Sequence, residues 1–347
     1  MPPVGRQGDW DPLPPPPQTR WEETTILAAG LARENDEQLV QALTEINPVL
    51  AGHCLHEGQA RVDQATRLKV IDRLLQTVAQ PEVALRVRIA AGEVLGYLGD
   101  PRLGELAIIP AGKFVIGEGN QQHNLTLPEY QIGKYLLTNA EYAVFIEIGG
   151  YQERCWWTEP GWQVKEKENW TEPSSWRDSR SNRPNQPVSG VSWYEAVAYC
   201  RWRSAETGQQ VRLSTEAEWE KAARGTDGRI YPWGNEFDAA QLNMKLGHQQ
   251  VNNKTPVGIY PNGRSPYGLY DCAGNVDEWC ATKWHKYPYR IKEEWNNSFL
   301  EEANGRVLRG GSWEFNDERF VRCTFRSWND PYNRDYSYSF RVVVLAT

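Results

Sequence analysis

The chain has 347 residues, 24% of them charged, with a net charge of −7. That balance is ordinary for a folded protein and argues against a nucleic-acid footprint. No run approaches the ~18 consecutive apolar residues of a membrane-spanning helix, and 16 Trp against 2 Met points to a tightly packed, loop-rich domain or an aromatic binding surface.

Residues 1–21 are Pro-rich, including Pro14 to Pro17. Such a run favours polyproline II and reads as a tail or linker. The start lacks the basic-then-apolar pattern of a secretory leader, so a cytoplasmic location is expected. The six Cys (54, 155, 200, 272, 280, 323) contain no C-x-x-C pair, and reduced thiols are expected.

Residues 22–104 read as a small all-α region. Apolar residues recur at helical spacing from Thr24 to Ala51 and from Val62 to Val78. A third helix starts at Pro81, a good first-turn residue, and ends near Gly96 to Gly99. The stretch from Val87 to Pro101 resembles one unit of a HEAT-type repeat, too little for a solenoid. His53-Cys54-Leu55-His56-Glu57 reads as a solvated helix end or, with its two His one turn apart, as a weak metal site.

From Leu106 onward the apolar runs are short and broken by Gly, Pro, Asn and Asp. Short strands, ordered loops and two helices are expected, Ser192–Thr207 and Ser214–Arg224. Thr215 followed by Glu218 fits a capping box.

Eight blocks in order carry a family resemblance: Ile109–Gly117, Tyr135–Tyr142, Pro187–Cys200, Val211–Gly225, Tyr231–Asn235, Gly268–Trp279, Arg306–Trp313 and Phe340-Arg-Val-Val. Residues 105–347 resemble the formylglycine-generating-enzyme/sulfatase-modifying domain, which implies a C-type-lectin-like α+β fold rich in buried Trp. The catalytic members use a Cys pair just after the Gly-Gly-Ser-aromatic block to bind copper and oxidise a substrate Cys. Here Phe315 stands at the first position and Phe320 near the second. Phe cannot replace a thiolate as a copper ligand, so no copper and no catalysis are expected. The related non-haem iron enzymes need His ligands from a helical domain, which here offers only His53 and His56.

The resemblance also implies a structural Ca²⁺ in the loop held by Asp271, the Gly274 and Val276 carbonyls and Glu278. A second site would start at Asn243, but its partner segment, His248 to Asn253, departs from the family pattern.

The segment 306–344 resembles the hypervariable region of diversity-generating-retroelement variable proteins, which carry the same domain. Ser339 stands where Gly is usual before Phe340-Arg341. Tyr, Ser, Asn and Trp are residues that binding loops favour. The resemblance therefore implies a non-catalytic, protein-binding face. It would be made of Glu314, Phe315, Asn316, Phe320, Phe325, Ser327, Trp328, Asn329, Asp330, Tyr332, Asn333, Asp335, Tyr336, Ser337 and Tyr338. Arg322, Arg326, Arg334 and Arg341 would hold the scaffold. The alternatives are an ordinary non-catalytic member of the fold, and a copper-dependent oxidase of the formylglycine-generating type or another enzyme of the sulfatase-modifying family.

Overall fold

A computed structural model describes residues 21–31, 35–246, 251–287, 289 and 304–345. The Pro-rich segment 1–20 and His248 to Gln250 lie outside the described residues.

The helical region holds five helices: α1 (Glu22–Leu31), α2 (Asp36–Ile46), α3 (Pro48–His56), α4 (Gln64–Ala79) and α5 (Leu85–Leu98). The helix expected from 24 to 51 is broken at Asn47-Pro48. Pro48 has no N–H for the preceding turn, and the Asn47 side chain accepts from Leu50 N to start α3 afresh. The third expected helix begins at Leu85 instead of Pro81. At the end of α3, His53 Nδ1 bonds Glu57 Oε1 at 2.6 Å and His56 stacks on Tyr97, so the pair of His faces no common ion.

The remainder mixes short strands and helices. β1 (Leu106–Ile109), β2 (Gly112–Ile116), β3 (His123–Leu127) and β4 (Tyr130–Gly133) lead into α6 (Asn139–Glu147) and α7 (Glu159–Lys167). The two expected helices follow as α8 (Trp193–Thr207) and α9 (Glu216–Arg224), on either side of β5 (Gln210–Leu213). Ser192 with Glu195, and Thr215 with Glu218, close reciprocal capping boxes at their starts. α6 has the same device, Thr138 with Glu141. The last strands are β6 (Asp277–Lys283), β7 (Arg306–Arg309), β8 (Ser327–Asn329), β9 (Tyr338–Ser339) and β10 (Val342–Leu345).

Two four-stranded sheets result, ordered β1-β4-β10-β5 and β8-β7-β6-β9, with β2-β3 as a separate ribbon. Between them lies an aromatic core in which Tyr142, Phe145, Tyr151, Tyr199, Trp202 and Phe340 meet ring to ring. Trp193, Trp219 and Trp279 are fully buried, which is where much of the Trp excess goes.

The helical region packs directly on this domain. Its core includes Ile259 and Tyr260. Asn185 Nδ2 donates to Gly92 O at 3.1 Å and to Asp100 Oδ2 at 2.7 Å. All six Cys are free, and only Cys155 is exposed. Among the described residues no helix is long and apolar enough to cross a membrane.

Candidate active site

The C-terminal segment wraps one end of the β8-β7-β6-β9 sheet. Gly310 and Gly311 take φ values of +92° and +72°, left-handed backbone that glycine adopts without penalty. The turn they make places Gly310 O on Gly274 N and Asn275 O on Trp313 N. From the other side β9 runs parallel to β6, pairing Asp277 with Tyr338 and Glu278 with Ser339. Alternation along β6 then sends the Asp277 and Glu278 side chains to opposite faces.

Asp277 begins β6 and lies beside Ser312, with the carboxylates of Asp335 and Glu314 acting on it. It is 3% exposed, and its Oδ1 has no hydrogen-bond partner among the described residues. Burial raises its pKa first; the carboxylates of Asp335 and Glu314 raise it further, against a hydrogen bond from Ser312, leaving it at about 8. At neutral pH this carboxyl therefore holds its proton and can donate a hydrogen bond.

Aromatic and amide side chains lie around it. The Tyr336 hydroxyl bonds Glu314, and its ring lies 6.1 Å from that of Trp313. Asn329 Nδ2 donates to the Tyr338 hydroxyl at 2.7 Å, and Asn333 donates to Asn329 Oδ1. Tyr332 donates to Asp330 at 2.9 Å. Trp328 is 49% exposed and stacks on Trp284.

The expected binding residues thus divide. Glu314, Asn329, Asn333, Asp335, Tyr336 and Tyr338 converge around Asp277, with Asp330 and Tyr332 beside them. Ser327 and Trp328 sit on β8, and Asn316 is exposed. Ser337 is buried, its hydroxyl spent on Asp335 Oδ1 at 2.7 Å, so it offers no exposed surface. Phe315, Phe320 and Phe325 form their own cluster of rings 5.1 to 6.1 Å apart. Asp277, Ser312 and Trp313 had not been picked out as site residues. Their only signal was their place inside two family blocks.

The four scaffold arginines behave as expected. Arg326 holds Glu216, Arg334 holds Glu195, Arg341 holds Glu278 and Arg322 reaches Glu118.

Calcium is not shown by the loop expected to bind it. Both Glu278 oxygens are taken by Arg341, at 2.6 and 2.8 Å. Asp271 Oδ2 accepts from Gly258 N, and burial pushes its pKa up to about 6. Asn243 turns its amide nitrogen to Asn253 O and Asn275 Oδ1, and the Gly274 carbonyl accepts from Val276 N. Among the described residues no group of three His, Cys, Asp or Glu is placed to hold a metal ion.

The model of the sulfatase-modifying factor enzyme 1-like domain matches residues 98–346, and the chain belongs to that family. It is 36% identical over 230 residues to a hercynine oxygenase of Mycobacterium tuberculosis, covering 61% of this chain and 52% of that protein. It is 35% identical over 263 residues to a formylglycine-generating enzyme of Thermomonospora curvata, covering 62% of this chain and 81% of that enzyme. Among solved structures, the Treponema denticola variable protein 1 superposes with a TM-score of 0.52 at 22% identity, covering 70% of this chain and 95% of that one. The chain spans about half the length of the hercynine oxygenases it matches.

These relatives correct three expectations. The non-catalytic binding module gives way to the enzymatic alternative, because the sequence relatives are named as enzymes while the variable protein is alike in fold alone. The expectation of no enzyme falls with it. So does the expectation of no copper, since formylglycine-generating enzymes, tied by resemblance to copper, are among the relatives. The Cys pair itself is replaced by Phe315 and Phe320, which do not fit a copper ion.

Proposed function

We propose that the chain is an oxidising enzyme of the sulfatase-modifying family, using molecular oxygen, with its reaction site around Asp277 at the start of β6. The observation that carries this is the buried Asp277 carboxyl, held protonated between Asp335 and Glu314 with one oxygen unspent. A titratable group perturbed by burial and like charge is a candidate functional group. Its proton is available to a substrate oxygen, nitrogen or sulfur brought within hydrogen-bond reach.

The surroundings favour a substrate with a cationic group. Glu314 and Asp335 supply negative charge, and the rings of Trp313, Tyr336 and Tyr338 present π faces that attract ammonium or guanidinium. Beyond the reacting group, Trp328 and Tyr332 offer exposed aromatic area for the rest of a substrate, including a peptide.

The test is oxygen uptake by the purified full chain, with copper(I) and iron(II) supplied in separate arms. The substrates are a Cys-containing peptide with a flanking Arg, and hercynine with a thiol. Uptake in at least one arm, reduced tenfold or more by Asp277→Asn, is the expected result. No uptake in any arm, or full activity in the variant, overturns the proposal.

A further inference from the structure

We infer a second site, for a small oxyanion of the phosphate or carboxylate class, in a cavity of about 210 Å³ at the joint between the helical region and the lectin-like domain. One wall is the start of α5 with Glu82, Ala84, Leu85 and Arg88; the other is Gln241 and Asn262. The volume is several times the ~30 Å³ share of one water, enough for a tetrahedral anion.

Three observations converge on an anion. First, α5 has 14 residues, and its N-cap is Ala84, which makes no side-chain cap. Val87 N and Arg88 N bond Ala84 O, while the Leu85 and Arg86 amides before them have no acceptor within the helix, and the helix dipole adds positive potential there. Second, Arg88, one turn into α5, is 5% exposed yet ion-pairs with no carboxylate among the described residues. Its Nη1 donates to Ile259 O at 2.8 Å, its guanidinium lies 6.0 Å from the Tyr260 ring, and its Nε has no hydrogen-bond partner. A guanidinium buried without a counter-charge is costly; Nε itself is closed to solvent, so an oxyanion in the cavity supplies the missing counter-charge and not a bond to that atom. Third, Asn262 on the facing wall carries an amide donor, and Gln241 Nε2, which donates one hydrogen to Asp238 Oδ2 at 2.9 Å, has a second to offer.

Glu82 opposes this charge and sets the affinity in the modest range. A ligand bound here touches both α5 and the domain, so it would brace the joint that Arg88 and Ile259 already make. The inference does not rest on the proposed reaction.

The experiment measures the melting temperature of the full chain against sodium phosphate and, separately, sodium acetate, at constant ionic strength with chloride as control. A saturable rise with phosphate, larger than with acetate, is expected. Glu82→Gln should lower the half-saturating concentration several-fold. Arg88→Met should abolish the rise. Ala84→Asp, which places a carboxylate on the helix start, should raise the baseline melting temperature and also abolish the response, and it keeps the test decisive if the Arg88 variant fails to fold. No saturable rise in the natural chain, or an unchanged rise in Ala84→Asp, overturns the inference.

Discussion

Arg341 and Glu278 form a bidentate pair with no solvent exposure on either side chain, Nε to Oε2 at 2.6 Å and Nη2 to Oε1 at 2.8 Å. The guanidinium also reaches the carbonyls of Gly133 and Tyr270, tying the last strand to β4 and to the loop before β6. Removing one member leaves the other charge buried alone, which costs about 3–5 kcal/mol. Arg341→Met is therefore expected to lower unfolding free energy by that amount in urea titrations. With Glu278 so engaged, adding Ca²⁺ after chelation should leave the melting temperature unchanged; a rise of several degrees would place an ion in the 271–278 loop.

The proton on Asp277 makes stability depend on pH in a defined direction. Its carboxyl titrates near 4 when unfolded and near 8 when folded. The folded state thus binds the extra proton between those values, and its contribution falls by about 1.4 kcal/mol for each pH unit of rise in that window. Asp277→Asn should remove that slope, so the variant gains on the natural chain from pH 5 to pH 8 in chemical denaturation. Parallel curves would show that the carboxyl is ionised in the fold.

Lys254 works in the opposite sense. It is buried, donates to Pro187 O at 2.7 Å and to Ser189 Oγ at 2.6 Å, and burial pulls its pKa down to about 7. Unfolded, it stays charged to about 10.4. Between these values the unfolded state carries the extra proton, so stability rises with pH and is lost as pH falls towards 7. Lys254→Met should flatten that rise, as read from unfolding free energies at pH 7, 8 and 9.

Asn185 joins the helical region to the domain from a fully buried position. Asn185→Ala strips a donor from Gly92 O and Asp100, at about 1–3 kcal/mol. Since Ile259 and Tyr260 belong to the helical core, the natural chain should unfold in one transition. The variant is expected to shift that transition without splitting it, followed by circular dichroism and Trp fluorescence together.

What could be read in advance depended on how local its cause is. The starts of α8 and α9 were legible because Ser192 and Thr215 meet their capping partners three residues on. The Asn47-Pro48 break carried an equally local signal, yet the apolar spacing ran through it. The arginine framework was visible, but its partners Glu195, Glu216 and Glu278 lie far away in the chain and only folding brings them close. Asp277 was hidden for the same reason: its perturbation comes from burial and from Glu314 and Asp335, none of which its own neighbours announce. The absent Cys pair points away from catalysis in the sequence, because Phe315 and Phe320 remove one set of metal ligands, while the relatives are named as enzymes.

The strand Val342–Leu345 lies inside its sheet, between Tyr130–Gly133 and Gln210–Leu213. During translation, β4 and β5 therefore leave the ribosome long before the strand that joins them. Until then each exposes an unsatisfied edge, a template for pairing with another chain. The domain must complete its fold after nearly all of it has been synthesised, and such long-range closure is slow. Nascent chains stalled short of residue 342 should be the aggregation-prone species, and a chaperone that shields β-edges would act during that interval.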